Sequence, residues 1–312
     1  MNKGKQLAVG GLLLAIFSIM LLITIYVPVV GVLMMFILPI PFIFIALENS
    51  LKWSFVFLVA ACFLTVILGH ILSVPLTLMM GSIGTTIGFY LRTGKSHLQM
   101  YILSVLLFIA NMLFIFYTSM VLMDINYIDK TIERMNVIIE QSERMFNSIG
   151  QNEESIEMLM QFKESMQLVE VLLPSLIVIA STVLVGVIII GCKPIINRFS
   201  SKKILIAPLR QLQLPKSLLW YYLITMIASL FIGPSDGIAY TVVFNLLFCM
   251  QFFVMLQGYS FLFYISNKKN WHTFIPIIAV VLSILLPFAS IVAPLIRILG
   301  IIDLGFSLRE KL

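Results

Sequence analysis

The feature that most constrains this chain is a succession of apolar runs, most of them as long as a lipid bilayer is thick. About 20 helical residues cross the hydrocarbon layer of a membrane. Because backbone groups cannot stay unpaired in lipid, and the apolar residues do not alternate as in barrel strands, each run predicts a helix. The predicted spans are Leu7–Tyr26, Val29–Leu47, Trp53–Gly69, Ile71–Tyr90, Gln99–Met123, Val171–Gly191, Ser217–Ile232, Ile238–Ile265 and Thr273–Ile302. The fold class is therefore an all-α polytopic membrane protein.

The last apolar run leaves the number of spans open. It covers Thr273–Ile302, which is long for one span, and it contains Pro287 and Pro294. One broken helix gives nine spans and a hairpin of two short arms gives ten. Two crossings return Arg309 to the side of the other basic loops, but each arm is then short for the hydrocarbon thickness.

Charge divides the chain into three regions. The segment 124–170 has no apolar run of membrane length, and it holds ten of the fourteen acidic residues but four of the twenty basic ones. Lys and Arg in short loops favour the cytoplasmic side of a membrane. With the N-terminus inside, alternation places the basic loop 192–216 in the cytoplasm and 124–170 outside. The predicted regions are 1–123 with spans one to five, 124–170, and 171–312 with the remaining spans.

The external segment carries two apolar stripes with coiled-coil spacing. The first comprises Ile128, Ile132, Met135, Ile139, Ser142, Phe146 and Ile149, with a polar break at Ser142, and the second comprises Ile156, Leu159, Phe162, Met166, Val169 and Leu173. Gly150 suits a helix C-terminus and Asn152 suits the next N-terminus. We predict an extracytoplasmic antiparallel helical hairpin that extends spans five and six. Its stripes either pair only with each other or bind a partner outside the cell.

Two predicted spans carry a face of small residues, which lets another helix approach closely. The face in span one comprises Gly4, Ala8, Gly11 and Ala15, and the face in span four comprises Gly81, Gly84, Thr85 and Gly88. Each either packs within the chain or docks another membrane subunit. Ala8, Gly11 and Ala15 are the candidate partner-docking residues.

Polar side chains inside apolar runs are the remaining candidate site residues. Four amides, Asn111, Asn245, Gln251 and Gln257, either bridge helices or line a solute pocket. Arg297 and Asp303 in the last run either form an intramembrane charge pair or extend to the membrane edge.

Catalytic chemistry finds no support in the spacing of reactive residues. The three His and three Cys residues are scattered, without metal-ligand or catalytic spacing. Thr93-Gly94-Lys95-Ser96 resembles the end of a phosphate-binding loop, but the preceding glycine, Gly88, is one residue too far away. We predict no enzymatic activity, no cofactor, no metal and no nucleic-acid partner.

Several short motifs in a fixed order carry a family resemblance. They are Gly10-Gly11-Leu12-Leu13-Leu14-Ala15, Pro39-Ile40-Pro41-Phe42, Gly88-Phe89-Tyr90-Leu91-Arg92 with Lys95-Ser96, Leu214-Pro215-Lys216 before Leu219-Trp220, and Leu299-Gly300-Ile301-Ile302-Asp303 with Leu308-Arg309. With them the chain resembles the YybS-like bacterial membrane proteins, a family named for a domain of unknown function. That family is remotely similar to the S-components of energy-coupling-factor vitamin transporters.

The resemblance implies a multi-pass protein of the inner (cell) membrane of a Gram-positive bacterium. S-components bind a small solute among about six spans and dock a membrane coupling subunit through a small-residue face of span one. Gly11 and Ala15, with Ala8, occupy the matching place here. The long external hairpin and the extra C-terminal spans depart from that pattern.

Two functional hypotheses follow. In the first, the chain is a solute-binding transporter component whose partners are the lipid bilayer and a membrane coupling subunit. In the second, it is a non-catalytic envelope or sporulation scaffold that recruits an extracytoplasmic protein through the hairpin.

Overall fold

The computed structural model describes residues 3–123, 127–149, 153–272, 274–306 and 309. Within these ranges the chain is helical and forms no β-strand, so the predicted all-α class is confirmed. The helices are α1 (Lys3–Tyr26), α2 (Pro28–Ile37), α3 (Ile40–Glu48), α4 (Leu51–Leu68), α5 (Val74–Thr93), α6 (His97–Met123), α7 (Tyr127–Ile149), α8 (Glu153–Phe199), α9 (Ser217–Phe231), α10 (Ile238–Lys268), α11 (Phe274–Ile284) and α12 (Leu286–Phe306).

Seven helical segments of the described chain are long and apolar enough to cross a membrane. They are Gly4–Tyr26, Pro28–Glu48, Leu51–Leu68, Ile71–Thr93, His97–Val121, Val171–Phe199 and Ile238–Lys268. These seven correspond to predicted spans one to six and eight. The remaining predicted spans contain the shorter apolar helices Ser217–Ala228 and Phe274–Ser283. At about 1.5 Å per residue, such helices are shorter than the hydrocarbon layer is thick.

Proline residues coincide with two of the helix boundaries. The second predicted span consists of α2 and α3, which are separated around Pro39. Pro39 and Pro41 have no backbone N–H, so the hydrogen-bond ladder cannot run through them unbroken. In the last predicted span, α11 ends at Ile284 and α12 begins two residues later, with Pro287 in its first turn, where proline is tolerated.

The acidic region is helical wherever it is described. Helix α7 covers the first predicted arm, and α8 runs from the second arm through the sixth predicted span as one helix of 47 residues. The predicted caps Gly150 and Asn152 lie outside the described residues. The pairing of the two arms, and the side of the membrane on which they lie, stay predictions.

The first compact unit comprises Met1–Arg134 and Ala180–Ile206. Its core forms where α1, α3, α4 and α5 meet. Phe42 lies between Phe17 and Phe57, with edge-to-face ring separations of 5.2 and 5.3 Å. Phe17 and Phe42 are 0% exposed. Aromatic rings in this geometry stabilise the packing beyond their burial alone.

The second compact unit comprises Met135–Ile179 and Ala207–Leu312. Helix α10 is its centre and crosses α12 at two glycines. A Cβ atom built on Gly258 would collide with the carbonyl oxygen of Ile296, and one on Gly300 with that of Val254. Both backbones therefore approach each other as closely as glycine permits.

The chain leaves the C-terminal end of α10 at the start of α11, and Arg309, beyond α12, lies near that same end. Helix α11 begins six residues after α10 ends at Lys268. Beyond α12, the backbone carbonyl of Arg309 accepts a hydrogen bond from the hydroxyl of Tyr264 at 3.2 Å, near the same end of α10. Whether this last run crosses the membrane once or twice stays a prediction.

Candidate functional site

The small-residue face of α1 is exposed. Ala8, Gly11 and Ala15 are all exposed, and a Cβ built on Gly11 would meet no atom of the described chain within 4 Å. Because an α-helix turns by about 100° per residue, the buried Phe17 and Leu21 lie on the other side of the helix. The candidate docking face therefore points away from the core of its own unit.

The small-residue face of α5 is filled. A Cβ on Gly84 would lie 2.6 Å from the carbonyl oxygen of Pro39 and 2.8 Å from the Cβ of Phe42. A Cβ on Gly88 would lie 2.5 Å from the carbonyl oxygen of Ile43. These distances are shorter than real Cβ contacts. The glycines of α5 thus serve the packing of α5 on α3 within the chain.

Asn111 bridges two helices of the first unit. Its Nδ2 atom donates to the Ser82 hydroxyl on α5 at 3.2 Å and to the Leu107 carbonyl on its own helix at 2.7 Å. One hydrogen bond of the amide therefore ties α6 to α5, and the other stays within α6.

Asn245 bridges α10 and α8 at a proline. Its Oδ1 atom accepts from the Ser175 N–H at 2.8 Å, and its Nδ2 atom donates to the Val171 carbonyl at 2.7 Å. In an uninterrupted helix those two backbone groups bond to each other. Pro174 lies between them and has no N–H, so the side chain of a neighbouring helix supplies hydrogen bonds where the ladder is weakened.

Asp303 is the centre of a buried polar cluster in the second unit. Its carboxylate accepts from the Arg309 guanidinium at 2.8 and 3.0 Å and from the Gln257 amide at 2.5 Å. The Gln257 oxygen in turn accepts from the Leu214 N–H at 2.9 Å. The side chains of Asp303 and Arg309 are 2% and 6% exposed, so this ion pair is shielded from solvent.

The sequence suggested Arg297 as the ion-pair partner of Asp303. In the structure the partner is Arg309. Both arginines are six residues from Asp303. Six residues of a regular helix turn by about 600°, which puts Arg297 and Asp303 on different faces of α12. Arg309 lies beyond the end of α12 at Phe306, and its guanidinium is the one in contact with the carboxylate.

Arg297 lines a cavity of about 240 Å³ together with Gln251. Both were candidate site residues on sequence grounds, although not as a pair. The rest of the lining is apolar, and comprises Leu176, Ile179, Phe248, Phe252, Met255 and Ala293. Such a cavity can hold an apolar molecule with a polar head.

A basic cavity in the first unit was not predicted. Its volume is about 360 Å³, and Lys95, Lys202 and Lys203 line it with His97. The backbone N–H of Leu205 donates to His97 Nε2 at 3.3 Å and fixes the loop there. The described lining has no acidic residue, so the cavity can accept an anion. Its lysines come from loops about 100 residues apart, and no sequence spacing connects them.

Gly94 beside this cavity is a helix cap. Its φ angle is 66°, in the left-handed region that glycine favours, and the N–H of Lys95 donates to the Tyr90 carbonyl at 3.2 Å. This is the hydrogen-bond pattern of a helix C-terminus. The Gly94-Lys95 pair therefore terminates α5 in a basic turn, the alternative to a phosphate-binding loop.

No group of three or more His, Cys, Asp or Glu side chains within the described ranges is arranged to hold a metal ion.

The architecture defines a polytopic α-helical membrane protein. The chain belongs to the family described as "Predicted membrane protein (DUF2232)", whose model matches residues 15–304. It is 28% identical to "Uncharacterized protein YybS" of Bacillus subtilis (strain 168), over 100% of this chain and 99% of the relative. The family resemblance carried by the short motifs is thus confirmed. No solved structure matches the chain.

Proposed function

We propose that the chain is a non-catalytic, solute-binding subunit of a membrane transport complex, and that it docks a transmembrane helix of a coupling subunit through Ala8, Gly11 and Ala15. The N-terminus of α1 lies in the cytoplasm of a bacterial cell in this proposal, as the basic short loops favour. The class of partner comes from the resemblance to S-components.

The observation that carries the proposal is the exposure of this face. In lipid, helices associate mainly through close packing and hydrogen bonds, and small residues make the closest approach possible. The glycines of α5 already have their partner in α3. The space beside Gly11 is open in the described chain and can accept a helix from another protein.

Co-purification in mild detergent tests the docking. The tagged full chain is isolated from membranes of its own host, and the membrane proteins recovered with it are quantified by mass spectrometry. In the Gly11→Leu/Ala15→Leu variant we expect at least a tenfold loss of one transmembrane partner, because bulky side chains prevent close approach of the helices.

Ala110→Leu is the matched control. Ala110 is an exposed alanine in α6 of the same unit, so the change repeats the Ala→Leu substitution on an exposed surface of another helix. It should leave recovery of the partner unchanged. Equal recovery from wild type and the α1 variant, or equal loss in the control, would contradict docking through this face.

The scaffold function is a second candidate, favoured by the surface of α7. Val137 and Ile138 are exposed there, and neither belongs to the apolar stripe that predicts the pairing of the two arms. Such side chains suit contact with another protein. If the chain is a scaffold, deleting residues 128–166 should stop it from recruiting its extracytoplasmic partner. A docking subunit should keep its α1 partner after the same deletion.

A further inference from the structure

Arg297 stands out among the charged residues of the second unit because its surroundings are apolar. It lines the 240 Å³ cavity on α12, opposite Phe248 and Phe252 on α10 and Leu176 on α8. Gln251 supplies the other polar side chain of the lining. A charge at this position is expensive in a membrane, and such residues usually have a partner or a function.

The walls of the cavity are held in place independently of any ligand. One turn from the α10 lining, Asn245 bonds the backbone of α8 at Val171 and Ser175. Next to the lining residue Met255, Gly258 brings α12 into direct backbone contact with α10. Two helix pairs are thus fixed around the opening, and the cavity is a consequence of the packing.

The charge of Arg297 is not balanced within the described part of the chain, where it has no ion-pair or hydrogen-bond partner. The carboxylate on the same helix, Asp303, is bound by Arg309 and Gln257. The lining contains no Asp or Glu. A negatively charged ligand would therefore supply the ion-pair partner that Arg297 lacks among the described residues.

We propose that this cavity binds an amphiphilic anion. Its acidic head, a carboxylate or phosphate, pairs with the Arg297 guanidinium and accepts a hydrogen bond from Gln251. Arginine suits this role because its planar fork binds both groups with two parallel hydrogen bonds. The apolar body of the ligand lies against Phe248, Phe252 and Leu176, where burial of hydrocarbon is favourable.

An anionic membrane lipid and a free long-chain acid share this chemistry. The test uses the full chain, delipidated in mild detergent, and the fluorescent fatty acid cis-parinaric acid as the probe. The alcohol with the same hydrocarbon chain gives the neutral-head comparison. In the wild type we expect the acid to bind at least tenfold more tightly than the alcohol, a result that needs no variant to fold.

Substitutions of single basic residues test where the acidic head of the probe binds. Arg297→Gln should lower the affinity for the acid at least tenfold and remove the preference over the alcohol, while Arg297→Lys should keep part of it. Lys268→Gln removes the same charge from an exposed position at the end of α10 and should change neither. Lys202→Gln/Lys203→Gln does the same at the basic cavity and should also leave binding intact.

Three results would overturn the proposal: equal affinity for acid and alcohol, unchanged binding in Arg297→Gln, or loss of binding in the Lys202/Lys203 variant alone.

Binding measurements in lipid nanodiscs then identify the source of the anion. Competition by phosphatidylglycerol, but not by phosphatidylcholine, supports a lipid, and probe binding unaffected by either supports a free acid. The cavity and the α1 face lie in different compact units, so failure at one leaves the other to be judged by its own test.

Discussion

Helices α1 and α5 carry small residues at similar spacing and use them in opposite ways. The α5 glycines lie against the backbone of α3, where Gly84 meets Pro39 and Gly88 meets Ile43. On α1, Gly11 has open space beside it in the described chain. Spacing therefore identifies a surface that a helix can approach closely. Whether that helix belongs to the same chain depends on where the larger side chains of the same span are buried.

The neighbours of each face account for the difference. Helix α1 buries Phe17 and Leu21 on the side away from Gly11, whereas Leu7 and Leu12 near the small residues are exposed. In α5, Ile83 and Ile87 are 0% exposed next to Gly84 and Gly88. The buried side of this helix therefore carries both large side chains and glycines. The small residues of α5 thus lie beside buried large residues that pack within the chain, whereas those of α1 lie beside exposed ones and stay open.

The largest expected effect comes from filling the closed face. Gly84→Leu should destabilise the chain by more than about 3 kcal/mol, because even a Cβ atom collides with backbone at Pro39 and the core has no room to adjust. The free energy of unfolding of the purified protein in mixed micelles, titrated with denaturing detergent, measures it. A variant as stable as wild type would show that α5 and α3 are not in close contact.

A smaller effect is expected at Gly81, where the first obstacle is a side chain. A Cβ there would meet the Cδ1 atom of Leu58, a terminal methyl group, and would lie 2.9 Å from the Phe42 ring. Gly81→Ala should lower the free energy of unfolding by about 1–2 kcal/mol. Combined with Leu58→Ala, it should show a favourable coupling of about 1 kcal/mol, since the space vacated receives the new methyl group. Strict additivity of the two changes would contradict the collision.

The smallest effect on the isolated chain is expected on the open face. Gly11→Leu should change the free energy of unfolding by less than about 0.5 kcal/mol, as for other surface substitutions. The same micelle titration measures it, with Ala110→Leu alongside. Destabilisation comparable to that of Gly84→Leu would erase the contrast between the two helices.

Apolar runs predict the membrane helices well because burial in lipid leaves the backbone no alternative to internal hydrogen bonding. The breaks are harder to place. Pro39 divides a predicted span into α2 and α3, whereas Pro294 lies inside α12. A proline shows where one hydrogen bond is missing. Only the neighbouring helices decide whether the chain bends, breaks or continues there.

The candidate polar residues were found by type, and their partners were not. An amide in an apolar run needs a partner, but nothing in the spacing connects Asn245 with Pro174 or Gln257 with Leu214. Arg309 shows the limit most clearly. Arg297 and Arg309 are both six residues from Asp303, so distance along the sequence does not tell which of them binds the carboxylate.

The hydrogen bonds of Asn245 also impose an order of events on synthesis. Seventy residues separate Ser175 from the amide that accepts its N–H. A ribosome adds about 5–20 residues per second, so roughly 4–14 s pass between the two. During that interval the proline-weakened turn of α8 enters the membrane without the side chain that completes it. The bridge between α8 and α10 therefore forms only after α10 has been synthesised.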